Sequence, residues 1–165
     1  MPNIEIERKF LVLNEDYKQL ATSKYTIIQG YICKDAGRTV RVRIRTNDDG
    51  SSVAFLTIKS KPNAMGFSRF EWEKKIDPND AKQLIHLCLP GIIKKTRWLI
   101  PATPPSPIAN PLSPHLTWEV DEFHGRLAGL VIAELELESE DQAFEKLSFV
   151  GEEVTGNPRY YNANM

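Results

Sequence analysis

Seven short stretches of this chain place a charged residue at every second position, and within most of them the charges share a sign. Because successive side chains of a β-strand point to opposite faces, a period of two predicts strands with two different faces. In one stretch, Val42 and Ile44 separate Arg41, Arg43 and Arg45. The pattern therefore predicts a sheet in which one face of almost every strand is ionised.

The length and composition predict one domain over residues 1–165, large enough for its own core. The chain is 41% hydrophobic and 26% charged, and its net charge of −1 hides 21 basic and 22 acidic residues that are locally segregated. Charges begin at Glu5 and no apolar run approaches a membrane span, which predicts a cytoplasmic protein without a signal peptide. Cys33 and Cys88 match no metal spacing and are predicted to be free thiols.

Strands dominate and helices are few, which favours a mainly β fold whose antiparallel sheet curves or closes. Eight strands are predicted, over residues 3–13, 26–33, 39–46, 53–61, 67–76, 93–100, 116–123 and 131–138. Three helices are predicted, over residues 15–22, from Asp77 to the Pro90-Gly91 pair, and after a capping box formed by Ser139 and Gln142.

Two further segments are set apart by composition. Residues 101–114 hold six prolines and predict a stiff connection between strands. The polar tail over residues 151–165 carries Tyr160 and Tyr161, which predicts that it docks on the rest of the domain.

The charged faces could simply be the solvated side of an ordinary antiparallel sheet. Like charges at i and i+2 lie roughly 6.5–7 Å apart, however, and repel one another unless a counter-charge sits between them. Their apolar partners are large, among them Phe10, Trp72 and Leu135, and would form an outer face that helices could cover. The pattern therefore favours a closed barrel with a charged interior, which implies a charged ligand.

The separation by sign indicates which ligand. Carboxylates are hard oxygen donors suited to Mg²⁺ or Mn²⁺, whereas arginine and lysine suit phosphate oxygens. A small molecule with a triphosphate group and a bound divalent metal would satisfy both. The candidate metal ligands are Glu5, Glu7, Asp121, Glu134 and Glu136.

Taken in order, these segments resemble the CYTH domain superfamily, the triphosphate tunnel metalloenzymes. The family's opening ExExK motif is matched by Glu5, Glu7 and Lys9. Six later segments match in order: Arg41-x-Arg43, Thr57-x-Lys59, Arg69-x-Glu71-x-Glu73, Lys95-x-Arg97, Glu119-x-Asp121 and Glu134-x-Glu136. The resemblance runs from about residue 4 to residue 161, and the tail is similar to that of the small bacterial single-domain members.

The resemblance implies an eight-stranded antiparallel tunnel that binds a triphosphate with divalent metal, with a few helices packed outside. It implies phosphate contacts from Arg41, Arg43, Lys59, Lys61, Arg69, Lys95 and Arg97. It leaves five residues as tunnel-lining without an assigned contact: Arg45, Glu71, Glu73, Glu119 and Glu138. For several of the glutamates, an ion pair inside the lumen is the alternative.

Two residues are expected to act in the reaction itself. Tyr31 lies in a Gln29-Gly30-Tyr31 segment that resembles the family strand whose tyrosine pairs with the ExExK lysine, here Lys9. A lysine near a tyrosine and a metal could orient or deprotonate a water for attack on the terminal phosphoryl group. The alternative is that Tyr31 is a barrel aromatic.

The expected activity is metal-dependent hydrolysis of inorganic tripolyphosphate to pyrophosphate and phosphate. A class IV adenylate cyclase, a thiamine triphosphatase and a non-catalytic module that holds nucleotide or polyphosphate stay open as alternatives. Nucleic acid is not expected as a partner, because there is no basic tail or helix. The outer apolar strip could support a homodimer.

Overall fold

The computed structural model describes residues 3–66, 68–102 and 116–165, and strands dominate it. The strands are β1 Ile4–Val12, β2 Ser23–Asp35, β3 Arg38–Asn47, β4 Ser52–Ser60, β5 Ser68–Ile76, β6 Ile93–Pro101, β7 Thr117–Phe123, β8 Val131–Leu137 and β9 Val150–Glu153. The first eight correspond to the eight predicted strands, and β9 was not predicted. Most of the Pro-rich connection predicted over residues 101–114 lies outside the described residues.

Eight of these strands form a closed antiparallel barrel, as the sequence predicted. Their order around the barrel is β1, β5, β4, β3, β2, β6, β7 and β8, and β8 pairs with β1 again. The second edge of β1 is shared, because its first residues pair with β5 whereas Phe10 and Val12 pair with β9. Between these pairings the backbone amide of Lys9 donates to Thr155 Oγ1 at 2.9 Å. The ninth strand therefore brings the start of the C-terminal tail beside the middle of β1.

The main hydrophobic core lies on the outer face of the barrel. Trp118 is fully buried there, with its ring centroid 5.4 Å from that of Phe10 and 6.1 Å from that of Phe149. The apolar positions that alternate with the charged ones supply this core, and the charged positions are left to face the interior, or lumen. The alternation thus encodes a barrel whose polar side is enclosed.

Two helices lie outside the barrel in the described residues, and neither is long and apolar enough to cross a membrane. The first, α1, is a single turn over Tyr17–Leu20, shorter than predicted. The second, α2, spans Pro78–Ile85, and Asp77 caps it by accepting a hydrogen bond from the Asn79 amide at 2.7 Å. The prediction that it continues to Pro90 was wrong. The chain turns away because the Leu89 amide donates to the Tyr31 carbonyl on β2 at 2.8 Å.

The helix predicted after Ser139 is absent from the described residues, and this prediction was wrong. The Gln142 side chain does reach back, but its Oε1 accepts from the Glu138 amide at 2.7 Å in an isolated turn. The chain then runs without regular structure so that Phe144 packs on Trp118, with ring centroids 5.9 Å apart. Burial of aromatic rings on the barrel therefore overrides the local helix signal.

The C-terminal tail covers one end of the barrel. At that end the lumen-facing residues are apolar, and Ile93, Phe123 and Ile132 form a buried cluster. Tyr160 and Met165 pack against this cluster. The tail forms two short 3₁₀ turns here, over Pro158–Tyr160 and Asn162–Asn164, which hold the chain close to the strands.

Two glycines join the tail to the loop before β5. Gly66 has φ of +81° and Gly156 has φ of +79°, and a Cβ on Gly66 would lie 2.4 Å from the Gly156 Cα. We expect Gly66→Ala to lower the free energy of unfolding by about 1–3 kcal/mol, because the left-handed backbone and the backbone contact both resist a side chain. Urea unfolding measures this. Gly50→Ala has a similar φ of +85° but nothing within 4 Å, and should show the smaller, backbone part of the loss.

Candidate functional site

The barrel encloses a charged cavity of about 480 Å³, a size suited to a small-molecule ligand. Most of the sequence-predicted site residues line it. They are Glu5, Glu7, Lys9, Tyr31, Arg41, Arg43, Lys59, Lys61, Arg69, Glu71, Glu73, Arg97, Glu119, Glu134 and Glu136. Side chains separated by more than a hundred residues are thus brought together by the barrel closure.

Four of the predicted residues do not line the cavity. Lys95 and Asp121 are completely buried behind its wall and form an ion pair of 2.7 Å. Arg45 stacks on Tyr25 instead, with its guanidinium carbon 4.6 Å from the ring centroid. Glu138 lies beyond the end of β8 and is exposed.

The basic part of the cavity comes mainly from β3 and β4. Arg41 is buried, its Nη2 donates to Thr57 Oγ1 at 3.3 Å, and its Nε has no hydrogen-bond partner among the described residues. Arg43 donates from Nε to Gln29 Oε1 at 2.9 Å. Burial, followed by the charges of Arg41 and Arg97, lowers the pKa of Arg43 to about 10, which still leaves it cationic at neutral pH. Arg41, a buried cation whose Nε donor is unused, is therefore suited to bind an anionic ligand.

The acidic part comes from β1 and β8, which lie side by side. Glu7 is the register partner of Glu136, and Lys9 is the register partner of Glu134. Burial, followed by the surrounding carboxylates, raises the pKa of Glu136 to about 7. Burial also raises the pKa of Glu71, which lies on the neighbouring strand β5. These carboxylates repel each other, which is the situation that a bound cation relieves.

Ion pairs within the lumen connect several of its cationic and anionic side chains. Lys59 Nζ donates to both oxygens of Glu5, at 2.9 and 2.7 Å. Lys9 Nζ lies 3.3 Å from Glu134 Oε1, and Arg97 pairs with Glu119. Although burial opposes it, Lys59 holds the pKa of Glu5 well below its usual range. The alternative of ion pairs within the lumen therefore describes several of these contacts.

A divalent metal fits the chemistry of the acidic part without being preassembled there. In residues 3–66, 68–102 and 116–165, no three acidic, histidine or cysteine side chains converge on one point. Glu7 and Glu136 are nevertheless directly opposed on adjacent strands, a position in which Cβ atoms lie about 4.5–5.5 Å apart. Hard carboxylate oxygens at that separation suit Mg²⁺ or Mn²⁺.

The structure gives Lys9 a different aromatic neighbour from the one expected. Within the described residues, no hydrogen bond or ring contact joins Lys9 to Tyr31, which lies opposite Arg41 on β3. Instead Lys9 Nζ lies 5.7 Å from the ring centroid of Tyr161. The sequence indicated that the tail docks, but alternation carries no information about where a tail residue points.

A buried relay of hydrogen-bonded polar side chains lies behind the cavity, and it was not predicted from the sequence. Gln29 is fully buried, and its Nε2 donates to Asn162 Oδ1 at 3.1 Å. The same oxygen accepts from Lys95 Nζ at 2.9 Å. Lys95 pairs with Asp121, whose oxygens also accept from Arg97 Nε and Nη2 at 2.7 and 2.9 Å. The relay links the tail to an arginine of the cavity wall.

Comparison with known proteins agrees with this architecture. The CYTH domain profile matches residues 3–163. An inorganic triphosphatase of Acetivibrio thermocellus is 41% identical over 162 residues, covering 98% of this chain and 92% of that protein. An inorganic triphosphatase of Nitrosomonas europaea is 33% identical over 160 residues, covering 96% and 93% of the two chains.

Solved structures share the fold. The crystal structure of the inorganic triphosphatase NE1496 superposes with a TM-score of 0.58 at 30% identity, covering 97% of this chain and 92% of that one. HpAC1 from Hippeastrum, described as having a dominant triphosphatase activity, reaches the same TM-score of 0.58 at 16% identity, covering 82% and 80%. At that identity the likeness concerns the fold alone. The profile match over nearly the whole chain shows that this protein belongs to the CYTH domain family.

Proposed function

We propose that this protein hydrolyses inorganic tripolyphosphate to pyrophosphate and phosphate with the help of a divalent metal. The observation that carries the proposal is one enclosed cavity lined by cationic side chains, mainly from β3 and β4, and by carboxylates, mainly from β1 and β8. A linear polyanion with a bound metal has the complementary charge distribution. The two inorganic triphosphatases similar to this chain support the same substrate class.

The metal belongs in the acidic part of the cavity. Glu5, Glu7, Glu134 and Glu136 would hold it, and Mg²⁺ or Mn²⁺ bound there would neutralise charge on the phosphate oxygens. Binding would release Lys59 and Lys9 from their carboxylate partners and leave both cations available for phosphate. Asp121 is proposed to brace Lys95 and Arg97 in place of binding metal, since its oxygens already accept from those two side chains.

The basic part would hold the phosphate groups. Its members all line the cavity: Arg41, Arg43, Lys59, Lys61, Arg69 and Arg97. Arginine can bind phosphate oxygens through two parallel N–H donors, which fixes orientation as well as charge. Phosphoryl transfer requires chiefly such positioning and neutralisation of charge on the equatorial and leaving oxygens.

Lys9 is proposed to act at the transferring phosphoryl group. Burial opposes its charged form, but Glu134 and Glu7 outweigh burial and raise the pKa of Lys9 above its ordinary value. Lys9 is therefore an ammonium at neutral pH, and its Nζ would orient the attacking water or a phosphoryl oxygen as a hydrogen-bond donor. The Tyr31 hydroxyl is proposed to assist from the opposite wall of the cavity.

Arg41 offers the sharpest test of phosphate binding. We expect Arg41→Met to raise the KM for tripolyphosphate by about 10- to 150-fold, the worth of a hydrogen bond to a charged group. Arg45→Met is the matched control, because Arg45 continues the same face of β3 but stacks on Tyr25 outside the cavity. Steady-state phosphate release measures both variants. Equal effects of the two would contradict the assignment of Arg41.

A substrate panel separates the alternatives. Phosphate release is measured from tripolyphosphate, ATP and thiamine triphosphate, with Mg²⁺, Mn²⁺ or no metal, and cyclic AMP is assayed with ATP. The proposal predicts the highest kcat/KM for tripolyphosphate and no release without metal. Formation of cyclic AMP from ATP would favour a cyclase. A preference for thiamine triphosphate as substrate would favour a thiamine triphosphatase. Binding without turnover would favour a non-catalytic module.

The cellular location and the oligomeric state complete the proposal. We propose a cytoplasmic protein, consistent with free thiols at Cys33 and Cys88. We also propose a homodimer through the outer apolar strip of Ile4, Phe70 and Trp72, which are 45%, 43% and 38% exposed. Light scattering after gel filtration tests the dimer, and Phe70→Glu should then give a monomer. Nucleic acid and membranes have no part in the proposal.

A further inference from the structure

The C-terminal tail makes two contacts with Lys9 in the lumen. The backbone carbonyl of Tyr160 accepts from Lys9 Nζ at 3.4 Å, and the Tyr161 ring centroid lies 5.7 Å from the same nitrogen. Tyr161 also lines the cavity and is half-buried. The two tyrosines differ in their surroundings, because the Tyr160 side chain packs on the apolar cluster at the barrel end. Tyr161 is thus the tail aromatic that faces the site.

The Tyr161 ring serves two cations at once. The Arg69 guanidinium carbon lies 5.8 Å from its centroid, almost the same distance as Lys9 Nζ. The Lys9 and Arg69 side chains retain only 7% and 18% of their exposure, and contact of a buried cation with the face of an aromatic ring is worth more than at the surface. The ring therefore attracts two like charges that repel one another.

The ring contact matters most when metal is bound. The anionic partners of Lys9 are Glu134 at 3.3 Å and Glu7 at 3.5 Å, and both are also proposed metal ligands. Metal binding would turn these carboxylates away from the ammonium. Among the described residues, the Tyr160 carbonyl and the Tyr161 ring are the two contacts of the Lys9 ammonium that do not depend on those carboxylates.

We infer that Tyr161 is a positioning residue for Lys9, holding its ammonium in the lumen while the acidic side chains bind metal. The inference rests on the proposed function, because it assigns Tyr161 to the site where Lys9 acts. Its chemistry requires an aromatic face and does not require the phenol hydroxyl. Phenylalanine should therefore replace Tyr161, whereas leucine, which is apolar but has no aromatic face, should not.

The kinetic test compares Tyr161→Leu with Tyr161→Phe for tripolyphosphate hydrolysis with saturating Mg²⁺. Loss of the cation–π contact is expected to lower kcat by about 2- to 30-fold. The KM should change by less than about 3-fold, because Tyr161 itself is not assigned a phosphate contact and Arg69 keeps its ion pair with Glu5 at 3.5 Å. Tyr161→Phe should recover at least half of the wild-type kcat. In a Lys9→Met background, adding Tyr161→Leu should have little further effect, because both changes act through one group.

A second readout needs neither metal nor turnover. A ring this close to Lys9 shifts the side-chain signals of that lysine in the carbon–proton NMR spectrum of the metal-free protein, and Lys9→Arg identifies them. The shift should disappear in Tyr161→Leu and persist in Tyr161→Phe. If the NMR signals move as expected, the Lys9–Tyr161 contact holds even in a protein without triphosphatase activity.

The outcomes separate this inference from the function. Absence of hydrolysis by the wild type overturns the proposed function. Hydrolysis that is unchanged in Tyr161→Leu overturns the positioning role, and so does a loss of kcat that is fully additive with Lys9→Met. A fall in thermal midpoint together with equal losses in Tyr161→Phe and Tyr161→Leu would assign Tyr161 to structure alone.

Discussion

Replacing Lys9 with methionine is expected to lower kcat for tripolyphosphate at least about ten-fold while leaving substrate binding largely intact. Methionine keeps much of the volume of the lysine stem but removes the ammonium, which lies 3.3 Å from Glu134, a proposed metal ligand on β8. The loss should fall on kcat because Lys9 acts at the transferring group, whereas Arg41 and its neighbours hold the phosphates. Steady-state phosphate release provides kcat, and calorimetric titration with tripolyphosphate provides binding.

Lys94→Met is the matched control for this change. Lys94 lies on β6 but is exposed on the outer face, so its loss should leave both kcat and KM unchanged. Tyr31→Phe, which removes a single hydroxyl from the opposite wall, should lower turnover with binding retained. If Lys9→Met weakened binding and turnover by the same factor, Lys9 would be one more phosphate contact and its reactive role would be wrong.

Replacing Asp121 with asparagine is expected to lower the free energy of unfolding by about 3–5 kcal/mol. Asp121 is completely buried and accepts from Arg97 and Lys95, so the variant leaves these two buried basic side chains without their shared counter-ion. Burial alone would raise the pKa of Asp121, but Arg97 and Lys95 outweigh it and lower that pKa, as expected of a carboxylate held ionised. Urea unfolding at neutral pH measures the loss.

Glu119→Gln is the control on the same strand and the same face. The Glu119 side chain retains 28% of its exposure and pairs with Arg97 at the cavity surface, so we expect a loss of less than about 1 kcal/mol. A different result for Asp121→Asn would change the role assigned to Asp121. If Asp121→Asn folded with normal stability but lost Mg²⁺ binding, Asp121 would be a metal ligand, as the sequence pattern first indicated.

Period-two alternation was a reliable guide to the fold because it is a local property with a global consequence. A strand such as β3 can place Arg41 and Arg43 on one face only if Val42 and Ile44 take the other. Once the apolar faces pack outward under helices and loops, the charged faces must meet inside. The sequence therefore predicted the barrel and most of the side chains that line its cavity.

The alternation of apolar and charged residues could not predict how deep in the tunnel each side chain lies. Lys95 and Arg97 have the same parity, yet Lys95 lies under Asn162 whereas Arg97 lines the cavity. That difference depends on where the tail docks, which is a long-range contact without a periodic signal. The same limit explains why Tyr161 was not identified as the neighbour of Lys9.

Local propensity also failed where tertiary burial competed with it. The segment after Ser139 carries a helix start signal, but Phe144 and Phe149 gain more from packing on Trp118 than a short helix would provide. The following residues then pair with β1 as β9, a strand of four residues. So short a strand at the edge of another strand carries too little pattern to be recognised.

The most direct test of the central claim is phosphorus NMR of tripolyphosphate incubated with the wild-type protein. With Mg²⁺ or Mn²⁺, the account predicts conversion to pyrophosphate and phosphate in equal amounts, and no conversion when a chelator removes the metal. Persistence of intact tripolyphosphate with either metal, despite calorimetric binding, would contradict hydrolysis and leave a charged tunnel that holds its ligand without reacting with it.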